Sequence, residues 1–167
     1  MSTKKLTITA LMVALVTIMT MTISIPIGSQ GFLNFGDIMI YASALLFGPQ
    51  VGLIAGGIGS ALADLLLGYP LWIPITLAAK GLEGYVAGKL CLNTKSMAQK
   101  LVGIAIGGLC MIFVYFIGGV LLAFSSDGLV PAIAASLSGI PYNVLQVIVG
   151  AIGGNIIAIL LKDRVLN

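Results

Sequence analysis

The chain has 167 residues, 59% of them apolar and only 8% charged, with a mean hydropathy of +1.17. A soluble domain carries about 25% charged residues, so this chain has too little charge for a water-facing surface and too much apolar content for disorder. The net charge of +3 comes from only eight Lys and Arg and leaves no clustered basic footprint for nucleic acid, while the absence of His excludes imidazole catalysis and His-built zinc sites.

The chain reads as an all-α integral membrane protein. A spanning helix takes about 20 apolar residues, so six would use roughly 120 and leave short loops. Lys4 and Lys5 precede an apolar run from Leu6 to about Ile25, too long for a cleaved leader. It is expected to be the first spanning helix, 6–25, closed by Pro26 and Gly28. A loop from Ile27 to Gly36 leads to a short second helix at 37–48, turned by Gly48-Pro49, and a third at 50–67, ended by Gly68-Tyr69-Pro70. The fourth is expected at 73–91. Asn93-Thr94-Lys95-Ser96 leads into the fifth at 98–124, which Ser125-Ser126-Asp127-Gly128 ends. Pro131 and Pro141 predict an outer loop or half-helix over 129–141, before a sixth helix at 142–161. All six would form one membrane domain over 1–167.

Cation placement sets the orientation. Lys4, Lys5, Lys89, Lys95, Lys100, Lys162 and Arg164 would all share one side, and the opposite loops hold no Lys or Arg. Both termini are therefore expected in the cytoplasm. Cys91 and Cys110 lack C-x-x-C spacing and read as small buried hydrophobes.

The eighth cation, Lys80, falls near the middle of the fourth helix, with Glu83 three residues on and on the same face. Such a pair is either a structural ion pair or part of a polar cavity, and intramembrane ionisable groups more often mark a cavity. Asp37 opens the second helix, where the dipole favours an anion. Asp64 either reaches the interface or pairs with Lys80. Asn143 and Gln146 put two amides on one face at the outer end of the last helix, as interhelical glue or as ligand contacts.

The outer loops hold Gln30, Phe32, Asn34 and Phe35, then Tyr69 and Trp72, then Asp127, Ser136, Ser138 and Pro141. Interfacial aromatics can be plain membrane anchors. Gathered above the charged pair and the amides, these groups suit an outward-opening pocket for a small, flat, polar solute. Small residues recur four apart at Ala10 and Ala14, at Gly52, Gly56 and Ser60, and at Gly150 and Gly154, spacings that let helices approach closely. Gly56 and Gly150 read as internal packing, and the first helix as a docking seam for another membrane protein. No G-x-x-x-x-G-K-[ST] motif and no nucleophile–base pair is present, so ATP hydrolysis and covalent catalysis are not expected of this chain.

The runs Phe32-Leu-Asn-Phe-Gly-Asp37, Leu45-Leu-Phe-Gly-Pro-Gln-Val-Gly52, Ala55-Gly-Gly-Ile-Gly-Ser-Ala-Leu-Ala-Asp64, Tyr69-Pro70 and Ala79-Lys-Gly-Leu-Glu-Gly84 resemble the S components of energy-coupling factor (ECF) transporters. The likeness covers nearly the whole chain. It is nearest the subgroup linked with hydroxymethylpyrimidine and vitamin B6, which overlaps one named for riboflavin. The resemblance implies a multi-pass cell-membrane subunit that captures a water-soluble vitamin or precursor, hydroxymethylpyrimidine or pyridoxine-like, or else riboflavin. Its implied partners are a transmembrane coupling T component and two cytoplasmic ABC-type ATPases, which would use ATP while this chain binds no cofactor or metal. Ala10 and Ala14 would face the T component. The family's pocket region maps onto Asn34, Trp72, Lys80, Glu83, Tyr115, Asn143 and Gln146. With a single Trp, the chain departs from the aromatic-rich thiamine binders. A stand-alone transporter coupled to ions through Asp64, Lys80 or Glu83, an intramembrane enzyme, and a ligand-free assembly subunit are the rival readings.

Overall fold

The computed structural model of the chain describes residues 2–26, 32–92, 94 and 96–165. The expectations placed on Gly28, Gln30, Asn93 and Lys95 lie outside the described residues, as do the side chains of Asp127 and Arg164. Six α-helices carry the fold: α1 Thr3–Thr22, α2 Gly36–Phe47, α3 Pro49–Leu67, α4 Ile73–Cys91, α5 Met97–Asp127 and α6 Leu129–Val165. Two short strands, β1 Ser24–Pro26 and β2 Phe32–Asn34, pair antiparallel between α1 and α2, with Ser24 opposite Asn34. A single 3₁₀ turn, Pro70–Trp72, precedes α4.

Local chemistry sets most boundaries. Ser2 caps α1 and Ser96 caps α5, each hydroxyl accepting from the backbone N–H three residues on. Gly48 joins α2 to α3 at φ 84°, a conformation that favours glycine, and Pro49 then starts α3 where no intrahelical N–H is needed.

Several boundaries differ from expectation. The first helix starts and ends three residues earlier than 6–25, and Ser24–Pro26 is strand. The fifth runs on to Asp127. The expected outer loop or half-helix over 129–141 is absent: α6 is one 37-residue helix through Pro141. Pro131 is its third residue, in the first turn, where a missing N–H costs no helical bond. Pro141 removes one interior bond, a loss that membrane helices accommodate when neighbours pack around the freed carbonyl.

Among the described residues, four helices, α1, α3, α5 and α6, are long and apolar enough to cross a bilayer. The 12 residues of α2 span about 18 Å, short of a hydrocarbon core of about 30 Å. Three charges, Lys80, Glu83 and Lys89, interrupt α4.

Small residues bring the helices together. A Cβ on Gly52 of α3 would stand 2.5 Å from the carbonyl oxygen of Gly84 in α4, so bare backbone is required there. Thr17 of α1 donates its hydroxyl to the Gly59 carbonyl of α3 at 2.9 Å. Gly150 and Gly154 of α6 leave room for Asp37 and Tyr41 of α2. The short α2 thus sits in the middle, with Ile40, Tyr41, Ala42 and Ala44 fully buried.

The ends of the bundle differ. Lys5 of α1 reaches Gln50 of α3 at 2.5 Å, the Cys91 thiol of α4 meets the Lys100 carbonyl of α5, and Asn155 of α6 meets Met97. The start of α1 and the α2–α3 and α4–α5 connections therefore share one end. The hairpin, the 3₁₀ turn and the start of α6 share the other.

Candidate functional site

At that second end the helices enclose a polar cavity of about 50 Å³. Its floor and walls come from Thr20 at the end of α1, Ser60 and Asp64 of α3, Thr76 and Lys80 of α4, and Tyr115 of α5. Ser136, Tyr142, Asn143 and Gln146 of α6 close the far side, and Phe32, Asn34, Tyr69 and Trp72 form the rim. The hairpin sets Phe32 against Tyr69, ring centroids 5.1 Å apart, and the 3₁₀ turn sets Trp72 6.1 Å from Tyr115. Both pairs are tilted, at 49° and 54°, and put aromatic surface on the cavity lining.

Asn34, Trp72, Lys80, Tyr115, Asn143 and Gln146 all line this one space, though they come from the hairpin, the 3₁₀ turn, α4, α5 and α6. Glu83 stands apart from it. It is fully buried behind Lys80, one turn closer to the opposite end of α4.

The charges are arranged differently from the expected Lys80–Glu83 couple. The Lys80 ammonium is 2.5 Å from Asp37 and 3.5 Å from Glu83. It also donates to the Met111 sulfur at 2.8 Å and stands 5.7 Å from the centre of the Tyr115 ring. Asp37 is the second residue of α2, as its helix-start reading required, but its carboxylate serves as the main counter-ion of Lys80. The cation thereby ties α2, α4 and α5 together. Among the described residues, no ion pair joins Asp64 to Lys80, the second of the two roles open to Asp64.

The remaining polar groups are only partly matched. Asn34 commits its side-chain oxygen to the Gly36 N–H at 2.9 Å, holding the start of α2. The Tyr115 hydroxyl donates to Thr76 at 3.2 Å, and Gln146 donates to Asn143 at 3.5 Å. Among the described residues, Thr20 Oγ1, Ser60 Oγ, Asp64 Oδ2, Ser136 Oγ and Gln146 Oε1 are buried without a partner, and all five residues line the cavity. Buried polar groups are nearly always hydrogen-bonded, so a cluster of unmatched ones around a space leaves polar atoms there that water or a polar solute can satisfy. Thr20 and Tyr142 are missing from the sequence-derived residues, while Ser60 enters there only for its small-residue spacing, Asp64 only as reaching the interface or pairing with Lys80, and Ser136 only among the outer-loop polar groups. They fall on three helices whose convergence no local spacing reveals.

Ala10 and Ala14 are exposed on the outer face of α1. Leu6, Leu11 and Ile18 are exposed beside them, each more than half accessible. The face is mostly apolar, with Thr7 exposed one turn before Ala10.

Comparison with known proteins gives a consistent picture. The family model of the ECF-type riboflavin transporter S component matches residues 1–163. An uncharacterized protein of Pyrococcus woesei is 42% identical over 151 residues, covering 90% of this chain and 96% of that one. The thiamine precursor transporter HmpT of Lactococcus lactis subsp. cremoris is 30% identical over 161 residues, covering 95% and 88%. A solved structure described as the S component of a bacterial ECF transporter superposes with a TM-score of 0.71 at 24% identity, over 98% of this chain and 96% of that one.

Proposed function

Because the chain belongs to the family of ECF-type riboflavin transporter S components, a family of multi-pass membrane transport subunits and not of enzymes, we propose that it captures a single-ring vitamin or precursor for an ATP-driven importer. The solute is hydroxymethylpyrimidine or a pyridoxine-like ring. The observation that carries this reading is the enclosed cavity with five unmatched polar residues on its wall. Its volume of about 50 Å³ is several times the roughly 10–15 Å³ that admits one water, so the space accepts something larger than a single water. The Lactococcus relative, a thiamine precursor transporter, agrees with a compact substrate.

In this reading Trp72 and Tyr115 flank the ring, while Asn34, Asn143 and Gln146 meet its edge. Lys80 holds the floor of the site through its contacts with Asp37 and Glu83. Energy comes from partners. A transmembrane T component docks on the Ala10 and Ala14 face of α1, and two cytoplasmic ABC-type ATPases hydrolyse ATP, since this chain has no phosphate-cradling loop.

Isothermal titration of the detergent-purified protein with hydroxymethylpyrimidine, pyridoxine, thiamine and riboflavin tests the proposal. Sub-micromolar binding of a single-ring compound is expected. No heat with any of the four overturns it. The name of the family favours a second reading, riboflavin itself. In that case riboflavin fluorescence is quenched at stoichiometric protein, and the single-ring compounds fail to compete.

A further inference from the structure

We infer that the charge cluster around Lys80 holds one resident proton, on the side chain of Glu83, so that a neutral carboxylic acid and a single Lys80–Asp37 ion pair lie between α2, α4 and α5. This proton site does not depend on what the cavity binds. Lys80, Asp37 and Glu83 are each at most 1% exposed, and two carboxylates around one ammonium would leave a negative charge without a partner. An unpaired buried ion is among the costliest groups a fold can carry, and taking up a proton relieves it. Among the described residues no other cation takes that place: Lys89 is exposed over the Tyr85 ring, and Lys5 and Lys100 belong to the opposite end of the bundle. Besides Asp37, the titratable side chains around the cluster from the elements packed on α4 are Tyr41 of α2, Asp64 of α3 and Tyr115 of α5, none of them a cation.

Geometry decides which of the two acids takes the proton. Asp37 accepts from the Lys80 ammonium at 2.5 Å and sits in the first turn of α2, where the helix dipole favours an anion. Glu83 lies in the interior of α4, 3.5 Å from the same ammonium, and neither of its oxygens has a hydrogen-bond partner among the described residues. A carboxylate can only accept and needs donors around it, whereas a carboxylic acid brings a donor of its own. The Tyr41 hydroxyl beside Glu83 donates to the Ile104 carbonyl, which leaves its oxygen open to accept the Glu83 proton. Among the described residues no three acidic or cysteine side chains converge to hold a metal ion, which favours a proton as the missing charge. Glu83 is fully buried and outside the cavity lining, so the proton balances charge within the bundle and does not travel with a solute.

Glu83 is the sole glutamate of the chain, which makes the test direct. Protein made by cell-free synthesis with glutamate isotope-labelled at its side-chain carboxyl carbon carries that label on Glu83 alone. Infrared difference spectra between labelled and unlabelled protein, in detergent at neutral pH and without any solute, then read this one group. The label is expected to shift the carbonyl stretch of a protonated carboxylic acid; a shifted pair of carboxylate bands overturns the inference. Glu83→Gln, a neutral near-isostere of the protonated acid, is expected to fold and to keep its thermal midpoint within about 4 °C of wild type. A variant that cannot be purified, or one with a larger fall, counts against a neutral Glu83, because the substitution then removes a charge the fold needs. A wild-type midpoint that rises with added Na⁺ or K⁺, while that of Glu83→Gln does not, puts a metal cation in the place of the proton and also overturns the inference.

Discussion

Lys80 and Gln146 both line the cavity, yet they differ in what their removal would do. Lys80 is 1% exposed and compensates the buried carboxylate of Asp37, with Glu83 next to it. Lys80→Met would leave Asp37 uncompensated, and removing one partner of a buried pair costs about 3–5 kcal/mol. Thermal unfolding in detergent should show a large fall in midpoint, partly recovered when Asp37→Asn is added. The Gln146 Oε1 atom has no protein partner to lose. Gln146→Leu is expected to leave the midpoint nearly unchanged and to weaken ligand binding by about tenfold, read by calorimetry. At this scale the sequence exposed Lys80 and Glu83 as a same-face pair through their spacing. The nearer counter-ion, Asp37, is 43 positions away, and no periodicity links residues so far apart.

Between elements, the closest approach joins α3 and α4, where Gly52 and Gly84 put backbone against backbone. Gly52→Val inserts atoms where a Cβ alone would be 2.5 Å from a carbonyl oxygen, and overpacking of this kind costs about 1–3 kcal/mol. A lowered unfolding midpoint, with ligand affinity reduced because α3 carries Asp64 and α4 carries Thr76 and Lys80, is the expected result. Most helix positions were legible from apolar runs and Gly–Pro breaks, within about three residues. Pro141 was not, because proline reads locally as a breaker, whereas a long membrane helix can continue through it at the loss of one backbone bond. The Ser24–Pro26 and Phe32–Asn34 pairing was also hidden, since three-residue strands carry no period that a sequence can display.

For the whole molecule, the exposed seam of α1 and the cavity lie on different surfaces, so docking and capture should separate. Ala10→Leu with Ala14→Leu is expected to leave ligand binding unchanged. It should abolish uptake of labelled ligand in cells that co-express the T component and ATPases, and co-purification with the T component should be lost. Uptake by the chain alone in sealed vesicles, collapsing with an uncoupler, would instead favour ion-coupled transport.

Composition alone settled that lipid is the solvent, because a chain with 8% charged residues cannot cover itself in water. Apolar runs and their breaks then determined that the chain is helical and roughly where each helix lies. What only the tertiary structure decided is which polar groups meet. Asp37 finds Lys80, and Asp64, Ser60, Ser136 and Thr20 come to face one enclosed space beside the expected Asn143 and Gln146. Helical spacing governs neighbours within a few residues, whereas a cavity wall is assembled from several helices by how their small residues let them pack.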